Sequence, residues 1–218
     1  MKPYMQSSTV GHKYWVDSAK GIGVILVVVG HLLYNSDLPL LNKLIYSFHV
    51  PLFFILSGYV QKEISGVNYL KRRARKLLVP FFLYTIIGLP IWGYLIIKHG
   101  GTIVDVFTDA FYVNGVISNN PLWFLIVLFE ISFIIFAFDV PRRNLLTQLM
   151  IYILAVLFSY FLYTADIELC NIFGINRAIV CLAFYMFGIL LARVDEKAFS
   201  GPVLFLALAL NLIFGGGV

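Results

Sequence analysis

The first apolar stretch of the chain, VDSAKGIGVILVVVGHLLYN, occupies residues 16–35. A helix of about 20 mostly apolar residues can cross the hydrocarbon core of a bilayer, so this stretch predicts a transmembrane helix. The polar segment 1–15 before it lacks the apolar core and the small-residue cleavage site of a signal peptide. We therefore expect the stretch to remain in the protein as its first membrane span.

The composition of the whole chain excludes a soluble protein. Of its 218 residues, 61% are hydrophobic and 12% are charged, and the mean hydropathy is +0.90. Soluble domains have about 25% charged residues, and disordered chains combine low hydrophobicity with high charge. The sequence instead predicts a single all-α domain, residues 1–218, built as a polytopic transmembrane helix bundle. A seventh span is expected from Pro202 to the C-terminus, after six full spans at 16–35, 44–61, 77–97, 121–138, 145–164 and 177–194.

The distribution of lysine and arginine predicts a cytoplasmic N-terminus. In this orientation 13 of the 16 basic residues lie on the cytoplasmic side, and 3 lie outside, namely Lys43, Lys98 and Arg177. Such an excess marks the cytoplasmic loops of membrane proteins. The net charge of +5 is therefore explained by topology. We expect the lipid bilayer, and no nucleic acid, as a partner, because these basic residues are spread among apolar runs.

Three ionisable residues share one face of the first span. Lys20 and His31 are eleven residues apart in the sequence, which is within about 20° of three full helical turns and about 16 Å along the axis. Asp17 lies one turn before Lys20 on this face and could pair with it. Ionisable side chains in a span are costly to bury and are functional candidates, although Lys20 could simply extend to the cytoplasmic interface.

A second histidine, His49, is predicted at a depth similar to that of His31, because consecutive spans run in opposite directions. The two imidazoles could face a common cavity, or each could only hydrogen-bond a neighbouring helix. No metal site is expected, since no third histidine, cysteine or carboxylate is obviously placed with them. The two cysteines of the chain, Cys170 and Cys181, have neither a disulfide framework nor a zinc-binding spacing.

Two further features lie at the predicted membrane interfaces. The basic run YLKRRARK, residues 69–76, fixes its loop on the cytoplasmic side and meets anionic lipid, and clustered arginines are also suited to bidentate phosphate binding. Trp123 opens the fourth span, where tryptophan is usually an interfacial anchor. Glu130, in the middle of that span, must find a partner or be protonated.

Four stretches resemble a known family of integral membrane enzymes. They are DSAKGIGVILVVVGH (17–31), SFHVPLFFILSGY (47–59), RRARKLLVP (72–80) and, more weakly, LWFL (122–125). They resemble the acyltransferase-3 family, and especially its sugar O-acetyltransferase branch of fucose 4-O-acetylase-like proteins. The resemblance is clearest over residues 15–130.

The resemblance implies an enzyme that transfers an acetyl or other acyl group from acyl-CoA to a sugar hydroxyl of a cell-surface or lipid-linked glycan. His31 matches the family's catalytic histidine, and Lys20 stands where the same motif usually has arginine. Arg72 and Arg75 match a motif that helps to bind the acyl donor. Acetyl-CoA is then a donor substrate rather than a bound cofactor, and the bacterial inner membrane is the expected location. Supporting roles are expected for Asp17, His49, Arg73 and Trp123.

The length of the chain raises two alternatives to this function. The catalytic bundle of the family usually has more spans than this chain supplies, so we expect the domain to be incomplete at its C-terminus. The chain could therefore be a truncated, inactive member. It could also be a transporter that moves a small anion past Lys20 and His31. The sequence leaves the oligomeric state open.

Overall fold

The computed structural model describes residues 14–33, 38–61, 66–111, 122–165 and 174–193. Within these ranges the chain is helical and contains no strand, which confirms the all-α prediction. A 3-10 turn, Val140–Arg142, accompanies seven α-helices: α1 (Tyr14–Leu32), α2 (Pro39–Tyr59), α3 (Gly66–Lys98), α4 (Ile103–Phe111), α5 (Trp123–Ala137), α6 (Leu145–Thr164) and α7 (Ile175–Leu191).

Six of these helices correspond to the six predicted spans. By length and composition α1, α3 and α6 can each cross a membrane, and α5 and α7 are apolar but shorter, at 15 and 17 residues. Helix α2 has 21 residues, which corresponds to about 31 Å at 1.5 Å per residue. Together with the composition, these helices make the chain a helical membrane bundle. The seventh predicted span, from Pro202, lies outside the described residues.

The helix that contains the third predicted span is longer than that span. The span was predicted at 77–97, and α3 runs from Gly66 to Lys98. Hydropathy marks only the part of a helix that lies in lipid, whereas the basic run 69–76 before it contains mostly good helix formers and no proline or glycine. The charged segment therefore continues the helix rather than forming a loop.

Helices α1 and α2 pack through two glycines on one face of α1. Gly23 and Gly30 are seven residues apart, about two turns. A Cβ atom on Gly30 would lie 3.1 Å from a methyl carbon of Ile45 and 3.2 Å from the ring of Tyr46, and one on Gly23 would lie 2.9 Å from the ring of Phe53. These two glycines allow side chains of α2 to lie directly against the backbone of α1.

Helices α2 and α7 approach each other more closely still. A Cβ atom on Gly58 would collide with the backbone carbonyl of Tyr185, and one on Gly188 would collide with that of Ile55. Small residues allow such backbone contact between membrane helices. The contact places the C-terminal end of α2 directly against the C-terminal half of α7.

The buried core lies where α5 and α7 meet α2 and α3. Its innermost side chains are Phe54, Val127, Ile131, Ile135, Tyr185 and Met186, each no more than 1% exposed. The outer surface of α6 remains apolar and exposed, as a lipid-facing helix requires.

The short helix α4 follows α3 outside the spanning segments. Asp105 accepts hydrogen bonds from the backbone N–H and the hydroxyl of Thr102, each at 2.7 Å. These bonds hold the pKa of the Asp105 carboxyl below its ordinary value. This capping arrangement explains why α4 begins directly after Thr102.

Candidate functional site

His31 lies in the last turn of α1, beside Tyr46 of α2. The hydroxyl of Tyr46 is 3.3 Å from Nδ1 of His31, and the centroids of the two rings are 5.9 Å apart in an edge-to-face arrangement. The described residues leave His31 exposed. Because Gly30, the preceding residue, has no side chain, the ring of Tyr46 can lie directly against α1.

His49 lies on the other side of the same tyrosine. Its Nδ1 is 2.7 Å from the backbone carbonyl of Ile45, and a carbonyl oxygen can only accept, so this nitrogen carries a proton. The centroids of the His49 and Tyr46 rings are 5.1 Å apart, again edge to face. His49 is only 4% exposed. The structure thus brings the two predicted histidines into contact with one shared aromatic ring.

Lys20 and Asp17 occupy the other end of α1. Asp17 lies exposed in the first turn and Lys20 is half-buried one turn later. Because α1 is a continuous helix from Tyr14 to Leu32, Lys20 and His31 lie about 16 Å apart along its axis. Asp17 is too distant along this helix to orient the imidazole of His31.

The arginines at the start of α3 fall into two groups. Arg72 and Arg75 are exposed, whereas Arg73 is half-buried. In a helix residues three apart lie about 60° apart around the axis, so Arg72 and Arg75 share one face. Arg73 points away from that face, and its Nη2 donates to Oε1 of Gln61 at 2.9 Å. This arrangement separates Arg73 from the predicted donor-binding pair.

The Gln61 oxygen is the centre of a polar cluster that the sequence did not reveal. It accepts hydrogen bonds from Arg73, from Tyr69 at 3.1 Å and from Tyr185 at 2.5 Å. The Arg73 guanidinium also lies 5.5 Å from the centroid of the Tyr69 ring. Since Gln61 follows α2, and the other three side chains belong to α3 and α7, the Gln61 cluster joins these helices at one point.

Trp123 packs inside the bundle as well as opening α5. The guanidinium of Arg177 lies 4.8 Å from the centroid of the Trp123 ring, within the range of cation–π contacts. Phe54 of α2 contacts the same indole, with ring centroids 6.5 Å apart. Trp123 therefore links α2, α5 and α7. Arg177, which was predicted only to lie on the outer side of the membrane, is part of this contact.

Glu130 and the cysteines are the remaining groups that metal or acid–base chemistry could involve. Oε2 of Glu130 is buried with no hydrogen-bond partner among the described residues. Within the same ranges, no group of three or more histidine, cysteine, aspartate or glutamate side chains could hold a metal ion. Cys181 is buried and free, and Cys170 lies outside the described residues.

Comparison with known proteins gives one family and one curated relative. The chain matches the model of the acyltransferase-3 family, described as an acyltransferase domain, over residues 13–218. It is 40% identical over 80 residues to the nodulation protein NolL of Sinorhizobium fredii (strain NBRC 101917 / NGR234). This match covers 31% of the chain and spans about a fifth, 22%, of the length of that relative. No solved structure matches the chain.

Proposed function

We propose that this chain, which belongs to the acyltransferase-3 family, transfers an acetyl group from cytoplasmic acetyl-CoA to a sugar hydroxyl of a lipid-linked or cell-surface glycan. The observation that carries the proposal is the layout of α1. An exposed imidazole, His31, lies at one end of a spanning helix that has Lys20 near its other end. The two groups are suited to opposite ends of one long, thin substrate.

We infer that the donor end of this substrate binds at the basic start of α3. Arg72 and Arg75 present two exposed guanidinium groups on one helix face. Planar guanidinium groups bind phosphate oxygens in pairs, and coenzyme A carries its phosphates at the end remote from the thioester. With the phosphates at the cytoplasmic face, the pantetheine arm would run along α1 for the roughly 16 Å from Lys20 to His31.

The chemical step needs a base at the acyl end. Nε2 of His31 takes the proton from the acceptor hydroxyl while the hydroxyl oxygen attacks the thioester carbonyl carbon. The new C–O bond forms and the C–S bond breaks. The leaving thiolate then takes the proton from the His31 imidazolium, so free coenzyme A and the O-acyl sugar are the products. General base catalysis of this kind contributes about 10²–10⁴ in rate.

A covalent route uses the same atoms in a different order. Nε2 of His31 would attack the thioester first, release coenzyme A and hold the acyl group until the sugar hydroxyl displaces it. Both routes need the Nε2 lone pair and an open approach to it. The exposure of His31 supports either route.

The experiment follows a radiolabelled acetyl group. Membranes that contain the full chain are incubated with acetyl-CoA labelled in the acetyl group, and the glycan and lipid fractions are counted before and after mild base, which cleaves O-esters. We expect base-labile label in these fractions, with one free thiol released for each acetyl group transferred. Label that only crosses the membrane of sealed liposomes, with no thiol released, would indicate a transporter. No transfer and no flux would indicate an inactive chain.

A further inference from the structure

We propose that Tyr46 is the positioning residue of His31, and that its hydroxyl fixes the imidazole in the tautomer that leaves Nε2 free to act as a base. The proposal rests on the proposed function of His31. The base in hydrolytic and transfer sites is generally held by a third group, most familiarly a carboxylate. In this chain the neutral phenol of Tyr46 takes that place.

The hydrogen bond between the two rings has two possible directions. Nδ1 of His31 and the Tyr46 hydroxyl are 3.3 Å apart. If Nδ1 carries the proton and donates to the tyrosine oxygen, Nε2 keeps its lone pair on the opposite side of the ring. If the hydroxyl donates to Nδ1 of a neutral imidazole, Nε2 carries the proton and cannot accept another. Only the first direction gives a base that can reach the acceptor hydroxyl.

The contacts around Tyr46 hold its hydroxyl beside Nδ1 of His31. On one side the ring lies against Gly30, where a Cβ atom would be only 3.2 Å from it. On the other it meets His49, with ring centroids 5.1 Å apart. His49 is itself held by its 2.7 Å hydrogen bond to the carbonyl of Ile45. The tyrosine therefore has little freedom to turn away from His31.

In this arrangement His49 has a supporting role that requires no contact with the substrate. His49 is 4% exposed, whereas His31 is exposed. A buried imidazole that donates to the backbone of its own helix is suited to supporting a neighbouring ring. We therefore place His49 behind Tyr46, and only His31 at the reacting atoms.

The kinetic test removes one oxygen atom and keeps the ring. Tyr46→Phe preserves the ring contacts with His31 and His49 but cannot accept a hydrogen bond from Nδ1. We expect kcat for acetyl transfer to fall by about 10- to 100-fold, the range found for groups that orient a histidine in metal sites. The KM for acetyl-CoA should stay within about twofold, because Tyr46 lies far from the donor phosphates. Tyr163→Phe is the matched control, since Tyr163 is 73% exposed on α6.

A spectroscopic test needs no activity and so separates this proposal from the proposed function. The full chain is labelled with nitrogen-15 in its histidines and reconstituted in micelles, and the His31 signals are assigned by their absence in His31→Gln. We expect the wild-type His31 to be protonated at Nδ1, and Tyr46→Phe to shift His31 toward the tautomer protonated at Nε2. Tyr163→Phe should leave the His31 signals unchanged.

The possible results lead to distinct conclusions. A wild-type His31 protonated at Nε2, or tautomer populations that are equal in wild type and Tyr46→Phe, would overturn the role of Tyr46. An unchanged kcat in Tyr46→Phe, with active wild type, would overturn it as well and leave the proposed function standing. If wild-type membranes transfer no acetyl group, the proposed function fails, while the spectra still decide whether Tyr46 sets the tautomer.

Discussion

The guanidinium of Arg73 donates a hydrogen bond to the side-chain oxygen of Gln61 across 2.9 Å, although its neighbour Arg72 is exposed. Tyr69 and Tyr185 donate to the same oxygen. Within one short basic run, therefore, Arg73 makes a contact between helices, whereas Arg72 and Arg75 are exposed. The Gln61 cluster and the exposed pair Arg72 and Arg75 should respond to mutation in different ways.

We expect Arg73→Ala to destabilise the bundle. The substitution removes one donor from the Gln61 oxygen and from the neighbourhood of Tyr185, which is fully buried. The Gln61 oxygen keeps Tyr69 and Tyr185 as donors, so the expected loss is that of one hydrogen bond with a charged group, about 1.5–3 kcal/mol. The midpoint of thermal unfolding in micelles measures the loss. Arg75→Ala, a change of equal size at an exposed position, should leave the midpoint nearly unchanged, and an equal loss in both variants would refute the structural role of Arg73.

Arg72→Ala and Arg75→Ala should instead weaken binding of the acyl donor. A hydrogen bond to a charged group is worth about 1.5–3 kcal/mol, so we expect the KM for acetyl-CoA to rise at least about tenfold, with a smaller change in kcat. Initial rates of label transfer at increasing acetyl-CoA concentrations give both constants.

Lys71→Ala provides the control for this donor-binding prediction. Lys71 is exposed in the same basic run, but its ammonium lacks the planar fork that binds phosphate in pairs. We expect its KM to rise less than that of either arginine variant. If the three substitutions raised KM equally, the run would act only through its net positive charge.

The contact between α2 and α7 predicts a contrast between glycines. Gly58→Ala and Gly188→Ala would each press a methyl group into the backbone of the facing helix, and overpacking of this kind typically costs about 1–3 kcal/mol. Gly21→Ala meets nothing within 4 Å and should gain up to about 1 kcal/mol of helix propensity. Unfolding midpoints of the three variants test this. Equal stability of all three would contradict the close approach of α2 and α7.

The parts of the fold that depend on hydrophobic length could be predicted from the sequence. The span predicted at 145–164 coincides with α6, and the spans at 16–35 and 177–194 overlap α1 and α7 within a few residues. The start of α3 could not be found in this way, because a charged helix that extends beyond the lipid has no hydropathy signal. Hydropathy therefore located the spans better than the helix ends.

The contacts of the candidate site could be predicted only in part. Helical periodicity placed Lys20 and His31 on one face, but the partner of His31 depends on how α2 is rotated against α1. The position of Tyr46 depends on the packing of its ring against Gly30. The seven-residue spacing of Gly23 and Gly30 is the sequence signal for this contact. The inward position of Arg73 also has a sequence signal, because Arg73 falls on a four-residue repeat in α3. The buried members of this repeat are Tyr69, Leu77, Phe81 and Thr85.

The imidazole of His31 is proposed to carry out acyl transfer. The most direct measurement is the rate at which membranes containing His31→Ala transfer base-labile acetyl label from acetyl-CoA, relative to wild type. His99→Ala serves as the matched control, since His99 is exposed just beyond α3 and donates to the carbonyl of Leu95. We expect His31→Ala to lose about 10²–10⁴ of the rate and His99→Ala to keep it. Transfer by His31→Ala at the wild-type rate would contradict the claim.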